Sequence, residues 1–208
     1  MTQVVVDISV SLDGYVTGPN VGLDNGLGDG GEALHEWVFN GTAEDRNVLD
    51  EAFESTGAVI QGRNLFDIID GPNGWNDEMG YGAKPTGEVN PPIFVVTHSA
   101  PERTRLGDRF RFVTDGVESA VAQAREAAGD KEVVVMGGGQ ICHQVLAAGL
   151  ADVLRLHVAP VVLGDGTRLF PAGAAPTYPL DLVGTVSTPA AQHLTYRVKK
   201  EKVSWATS

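Results

Sequence analysis

Short runs of β-branched and apolar residues, separated by stretches rich in glycine and aspartate, set the rhythm of this chain. Val4 to Val10 alternates weakly and is rich in valine and isoleucine, so it predicts a first strand. Ala58-Val59-Ile60-Gln61, Ile93-Phe94-Val95-Val96, Phe110-Arg111-Phe112-Val113, Val133 to Met136 and Val153 to Val158 predict further strands. Between them the apolar spacing turns helical. Thr42 stands before Ala43-Glu44-Asp45 as an N-cap with acids in the first turn, and Val48, Leu49, Ala52 and Phe53 then share one face. Gly62-Arg63 opens a short helix carrying Leu65, Phe66, Ile68 and Ile69. Val117 to Ala128 and Gln140 to Ala148 are amphipathic, and Leu34, Trp37, Val38 and Phe39 make a brief apolar patch of helical-turn length. The tail reads Leu180 to Val186 and then His193 to Val203, two strands with no helix between them. The expectation is an α/β fold whose mostly parallel sheet closes on an antiparallel hairpin. No repeat, low-complexity tract or domain boundary interrupts it, so residues 1–208 are expected to form a single domain.

Composition narrows the function. A net charge of −12 and a pI near 4.7 argue against a nucleic-acid partner, which requires a basic face. Cys142 is the sole cysteine, so no disulfide within the chain and no cysteine-based zinc site is expected. The chain opens without a basic segment and apolar signal core, and no apolar run is long enough to span a bilayer, so a soluble cytoplasmic protein without a membrane partner is expected. Glycines cluster from Gly14 to Gly41 and from Gly71 to Gly87, in loops long enough to suggest function.

The chemistry concentrates where strands end. Val133-Val134-Val135-Met136 runs directly into Gly137-Gly138-Gly139 and then a helix. Glycines let backbone approach a ligand, and the first N–H groups of a helix point outward unpaired beside a positive dipole end. This is a phosphate-holding device, with a tight turn that binds nothing as the competing reading. Gln61-Gly62-Arg63-Asn64 and Val96-Thr97-His98-Ser99 leave two other strands in like fashion. If those carboxyl ends are neighbours, two helix starts, an arginine and two hydroxyls converge on one crevice, enough for a pyrophosphate and a further phosphate. The chain has neither a Gly-x-Gly-x-x-Gly unit with a downstream acid nor a P-loop, so the usual dinucleotide and nucleoside-triphosphate folds fit poorly.

Ser11-Leu12-Asp13-Gly14-Tyr15-Val16, Gly62-Arg63, Val95-Val96-Thr97, Gly137-Gly138-Gly139 and Pro160-Val161-Val162-Leu163-Gly164-Asp165-Gly166 with Leu169-Phe170 follow one another in an order that resembles the dihydrofolate reductase-like superfamily. The branch is similar to the C-terminal reductase domain of the riboflavin biosynthesis deaminase-reductase, and the likeness runs from about Val4 to Val203. The resemblance implies a three-layer sandwich, NADPH as cofactor, and a homodimer. It implies a cis Gly137–Gly138 peptide and pyrophosphate contacts from Gly138, Gly139, Gln140 and Ile141. It places Gly62 and Arg63 on the opposite side of the phosphates, and Thr97, His98 and Ser99 near the adenosine ribose and its 2′-phosphate. The implied reaction is hydride transfer to a small heterocycle, pterin-like or pyrimidine-like.

Two acids are candidates for the catalytic group. Asp45 lies near the place of the family's substrate-anchoring acid, with Glu44 beside it; its plainer role is a helix N-terminal acid. Asp13 follows the first strand; its plainer role is an Asp-Gly turn. His35, Glu36 and Trp37 are candidates for the substrate pocket, as are Trp75 and Tyr81, with loop packing as the alternative. Asp165 reads as a turn residue and Cys142 as small buried filler. Arg46 and Lys84 are the main cations expected on the substrate side, few to meet a phosphate. A lone cysteine cannot supply the zinc site of the partner deaminase, so any such reductase must act without it. A nucleotide-binding protein of the same fold without catalysis, and a flavin-binding reductase, are the competing functions.

Overall fold

The computed structural model describes residues 2–85, 90–171 and 178–200. Ten strands and five α-helices follow one another: β1 (Val4–Ser11), β2 (Tyr15–Thr17), α1 (Glu36–Phe39), α2 (Ala43–Ser55), β3 (Thr56–Gly62), α3 (Arg63–Ile69), β4 (Ile93–Val96), β5 (Phe110–Val113), α4 (Val117–Ala128), β6 (Glu132–Gly137), α5 (Gly139–Ala147), β7 (Val153–Ala159), β8 (Thr167–Arg168), β9 (Leu180–Ser187) and β10 (Gln192–Val198). Short 3-10 turns lie at Gly31–His35 and Tyr81–Ala83.

Eight strands form one sheet in the order β5-β4-β3-β6-β1-β7-β10-β9. The first five neighbouring pairs are parallel; β7–β10 and β10–β9 are antiparallel. The sequence rule that strands without a helix between them pair antiparallel therefore holds at the tail. The hairpin's second strand ends at Val198 rather than continuing; Val203 lies outside the described residues. The little β2–β8 ribbon was not foreseen, because two- and three-residue strands carry no period to read.

The sheet is covered on both faces, which is why its central strands are nearly continuous apolar runs. On one face Val117, Ala120, Val121 and Ala124 of α4 and Ile141, Cys142, Val145 and Leu146 of α5 pack on Val4, Val6, Ala58, Ile60, Val133 and Val135. On the other, Phe66 and Ile69 of α3 pack on Val59, Ile93 and Val95 with Phe110 and Tyr81. This second face changes character towards β1, β7 and β10. There Asp7, Arg155, His157 and His193 replace apolar residues, and Asp7 and His157 border a cavity instead of core.

Candidate active site

The cavity opens along the carboxyl ends of β3, β4 and β6 and encloses about 1130 Å³. That exceeds the roughly 300–1,000 Å³ typical of a site for one small ligand, so a cofactor and a substrate fit together. All ten residues expected to hold a cofactor line it: Gly62, Arg63, Thr97, His98, Ser99, Gly137, Gly138, Gly139, Gln140 and Ile141.

Gly137 has φ of +145°, a conformation that only glycine adopts readily, and the Gly137–Gly138 peptide is cis. Gly138 is the N-cap of α5 and offers no side-chain cap; the Ile141 N–H turns back onto the Gly138 carbonyl at 3.0 Å, which leaves the N–H groups of Gly139 and Gln140 without an intrahelical partner. A Cβ on Gly138 would meet no protein atom within 4 Å, whereas one on Gly62 would strike Cγ1 of Ile141 at 2.6 Å. One glycine thus leaves room for a ligand and the other lets two strand exits close together. On the wall opposite, the guanidinium of Arg63 is fixed by Asp67 at 2.7 Å and donates to the Ser99 carbonyl at 3.0 Å. Thr97 Oγ1 also donates to that carbonyl, at 3.0 Å, tying the β4 exit into a turn. The Thr17 hydroxyl is buried at the cavity wall without a partner among the described residues. Outward helix N–H groups, a held arginine and an orphan hydroxyl around open space fit a phosphate-bearing dinucleotide such as NADPH.

The far end is built differently. Leu49, Ala52 and Phe53 of α2, with Val38, Trp37, Trp75 and Tyr81, form an apolar wall. The two loop aromatics and Trp37 thus stand at the cavity, as does His35. Trp37 donates from Nε1 to Ser9 Oγ at 2.9 Å and lies over the His157 ring with centroids 4.2 Å apart. Asp7, Ser9 and His157 supply the polar groups. Asp7 Oδ1 meets His157 Nε2 at 2.8 Å, and Asp7 Oδ2 accepts from Arg155 at 2.8 Å. Burial pushes the Asp7 carboxyl up, but His157 and Arg155 overcome it and hold the pKa at about 2. Behind this pair, His157 Nδ1 meets His193 Nδ1 at 2.7 Å, and His193 Nε2 meets Asp45 Oδ1 at 2.8 Å.

The two acids singled out from sequence stand elsewhere. Neither lines the cavity. Asp13 accepts from Ser11 Oγ at 2.7 Å and from the Leu163 and Gly164 N–H groups at 3.1 and 2.8 Å, which hold its pKa at about 2. Its carboxylate braces the turn after β7. Asp45 is fully buried and closes a capping box with Thr42, accepts from Thr188 Oγ1 at 2.7 Å, and faces His193. Burial raises its pKa, yet these hydrogen bonds bring it down to about 2. Both carboxylates are thus engaged by protein partners, Asp13 in a turn and Asp45 behind His193. The acid beside the aromatic wall is Asp7, hidden in sequence because it sits inside an otherwise apolar strand; Asp67, which also lines the cavity, is engaged by Arg63. His157 was equally silent, and only the β1–β7 pairing brings it beside Asp7.

Arg46 donates to the Gly41 carbonyl and Lys84 pairs with Asp50, both outside the cavity. Among the described lining residues, Arg63 is the one lysine or arginine. Asp165 accepts from the Gly166 N–H in a tight turn. Cys142 is buried against β6, and burial pushes its thiol up to about 12. Among the described residues no cluster of His, Cys, Asp or Glu is arranged to hold a metal ion, and no helix is long and apolar enough to cross a membrane.

Sheet order, flanking helices and the glycine cradle together define a dihydrofolate reductase-like fold. Within it, the chain belongs to the RibD C-terminal domain family, which it matches over residues 2–194. An uncharacterized protein of Bacillus subtilis, YyaP, is 23% identical over 174 residues, covering 81% of this chain and 80% of that one. A putative riboflavin biosynthesis protein from Shewanella superposes with a TM-score of 0.68 at 21% identity, covering 96% of this chain and 99% of that one. Dihydrofolate reductase from Enterococcus faecalis, solved with NADP(H), superposes with a TM-score of 0.56 at 17% identity, covering 94% and 96%.

Proposed function

We propose that the protein is an NADPH-dependent reductase that transfers hydride to a small unphosphorylated heterocycle, pterin-like or pyrimidine-like. The observation that carries this reading is one cavity with two unlike ends: a glycine and helix-start cradle, and an apolar pocket edged by Asp7, Ser9 and His157. Bound NADPH supplies the hydride. The backbone N–H groups of Gly138, Gly139 and Gln140 would hold its pyrophosphate beside Ile141, whose own N–H is taken by the Gly138 carbonyl, and Arg63 with Thr97, His98 and Ser99 would meet the extra phosphate. The aromatic wall of Trp37, Phe53, Trp75 and Tyr81 grips a flat ring and excludes water. Asp7 and His157 fix its polar edge.

The missing cations choose between substrates. A phosphorylated ribosyl pyrimidine needs a positive group at the substrate end, and the sole lysine or arginine on the described lining stands at the cofactor end. Family membership and the NADP(H)-bound relative of like fold support the cofactor assignment. The single free Cys142 suits a reducing cytosolic setting. A homodimer formed across β9 belongs to the same reading. That edge strand exposes Leu180, Leu182, Val183 and Val186, whereas β10 sits between β7 and β9.

The test is loss of nicotinamide absorbance when purified protein meets NADPH and a panel of unphosphorylated pterins and pyrimidines, beginning with dihydrofolate. Acceptor-dependent oxidation of NADPH is expected. Tight NADPH binding with no oxidation by any of the panel would sink the catalytic reading and favour a nucleotide-binding role. A yellow protein indifferent to NADPH would favour a flavin.

A further inference from the structure

The proposed reaction needs a proton as well as a hydride. Reducing a C=N bond places hydride and its two electrons on carbon and a proton on nitrogen. A set of side chains that begins in the cavity wall and runs behind it has a geometry that demands a spare proton.

Asp45, His193, His157 and Asp7 make three consecutive contacts of 2.8, 2.7 and 2.8 Å. Both ends are carboxylates, held ionised, and an ionised carboxylate only accepts. Each imidazole Nε2 must therefore carry a hydrogen. The central contact joins two Nδ1 atoms, and at 2.7 Å it is attractive only with a hydrogen between them. Three contacts require three ring hydrogens, and two neutral imidazoles possess two. The pair carries one more, shared between the two Nδ1 atoms.

We propose that these four residues form a proton reservoir whose cavity end, Asp7 with His157, donates the proton that accompanies the hydride; this rests on the reductase reading. His157 Nε2–H passes its proton to Asp7, and Asp7 passes it to the substrate nitrogen. The shared hydrogen settles on His157, leaving two neutral rings, and a proton from solvent restores the third. No electrons move through the chain; both come with the hydride from the reduced nicotinamide.

The surroundings suit a proton held loosely. Burial, with the neighbouring His157, holds the pKa of His193 below its ordinary value, and Asp45 and Asp7 pull it only part of the way back. Arg155 faces Asp7 from the same strand as His157 and is itself paired with Glu132 at 3.5 Å. His35, on the 3-10 turn packed against β1 and β7, also lines the cavity, and its pKa is lowered by burial and by His157. The Trp37 ring shields His157 from water, and Thr42 and Thr188 fix Asp45. Asp7 and His157 line the cavity, while His193 and Asp45 do not. The latter two are positioning residues that act through His157.

Histidine-ring NMR across a pH titration of the cofactor-free protein tests the reservoir. Wild type is expected to show hydrogens on both Nε2 atoms and one far-downfield hydrogen coupled to both Nδ1 atoms. Asp45→Asn keeps an acceptor for His193 but removes the charge. It should move loss of the shared hydrogen, seen at His157, to lower pH by about one unit. His193→Gln should abolish the shared signal, and it serves if Asp45→Asn fails to fold. Only two ring hydrogens at every pH where wild type is folded, or a His157 titration unchanged in the variants, overturns the proposal. Oxidation of NADPH by dihydrofolate then tests delivery. Its rate should fall as pH rises, at a lower pH in Asp45→Asn; a profile that does not move overturns the donor role. Failure of wild type to bind NADPH overturns the reductase reading instead and leaves the ring titration as it is.

Discussion

Gly62→Ala isolates the close approach on which the phosphate cradle depends. Gly62 ends β3 with φ −88° and ψ 165°, ordinary extended backbone that alanine adopts without strain. The consequence of the change is therefore steric. The new Cβ would lie 2.6 Å from Ile141 Cγ1, where ordinary contact begins at 3.4 Å, so about 0.8 Å must be found. Ile141 is buried in the first turn of α5, and its movement carries the cradle's N–H groups with it. Overpacking of this kind costs about 1–3 kcal/mol of stability. A displacement approaching 1 Å in a binding group should weaken NADPH binding at least about tenfold, equivalent to about 1.4 kcal/mol. Ile141→Ala deletes the offending Cγ1 and leaves Ile141 Cβ at an unstrained 3.8 Å. That change alone costs about 2–5 kcal/mol as a large-to-small core substitution. In the double variant the overpacking term vanishes, so its loss should fall short of the sum of the singles by about 1 kcal/mol or more. Urea unfolding of the four proteins measures the cycle, and fluorescence titration measures NADPH affinity. Additive losses together with wild-type affinity in Gly62→Ala would refute the reasoning.

Other consequences follow from the same geometry. Arg63→Ala should weaken NADPH about tenfold and leave NADH nearly unchanged, since the guanidinium serves the extra phosphate; equal losses for both, by calorimetry, would count against that placement. Asp13→Ala should lower the melting temperature, by freeing the Leu163 and Gly164 N–H groups, yet leave NADPH affinity intact. Asp7 and Asp45 have folded pKa values near 2 against 3.8 for the free side chain, so each contributes about 2 kcal/mol that is fully present above pH ~4. That contribution is lost as pH falls through about 2; chemical denaturation over this range should show the slope, and Asp45→Asn should flatten it. If the proposed homodimer forms across β9, Leu182→Asp should convert it to a monomer by sedimentation; a dimer that persists would place the interface elsewhere, and a monomeric wild type would overturn it.

Local signals explain how much could be read in advance. α4 appears at Val117–Ala128 as its amphipathic period requires, and Thr42 caps α2 because a hydroxyl followed three residues later by an acid satisfies two N–H groups at once. The glycine triplet was legible because strand, glycines and helix are contiguous, and one end of the cavity is built from such contiguous units. The other end is assembled from residues distant in sequence. Asp7, His157 and His193 stand on three strands whose pairing fixes their meeting, and nothing local to any one of them points to the other two. Asp45 illustrates the converse: its local role as a capping acid was visible, while its contact with His193, 148 positions away, was not.

Titration of NADPH and NADH against the purified protein, followed through quenching of tryptophan fluorescence, tests the central claim most directly, because Trp37 and Trp75 both line the cavity. The account predicts micromolar, equimolar binding with NADPH preferred. Gly138→Ala, whose added methyl meets no protein atom within 4 Å and contests only ligand space, should weaken that binding at least about tenfold while the fold persists. No binding of either nucleotide, or binding indifferent to Gly138→Ala, would contradict it.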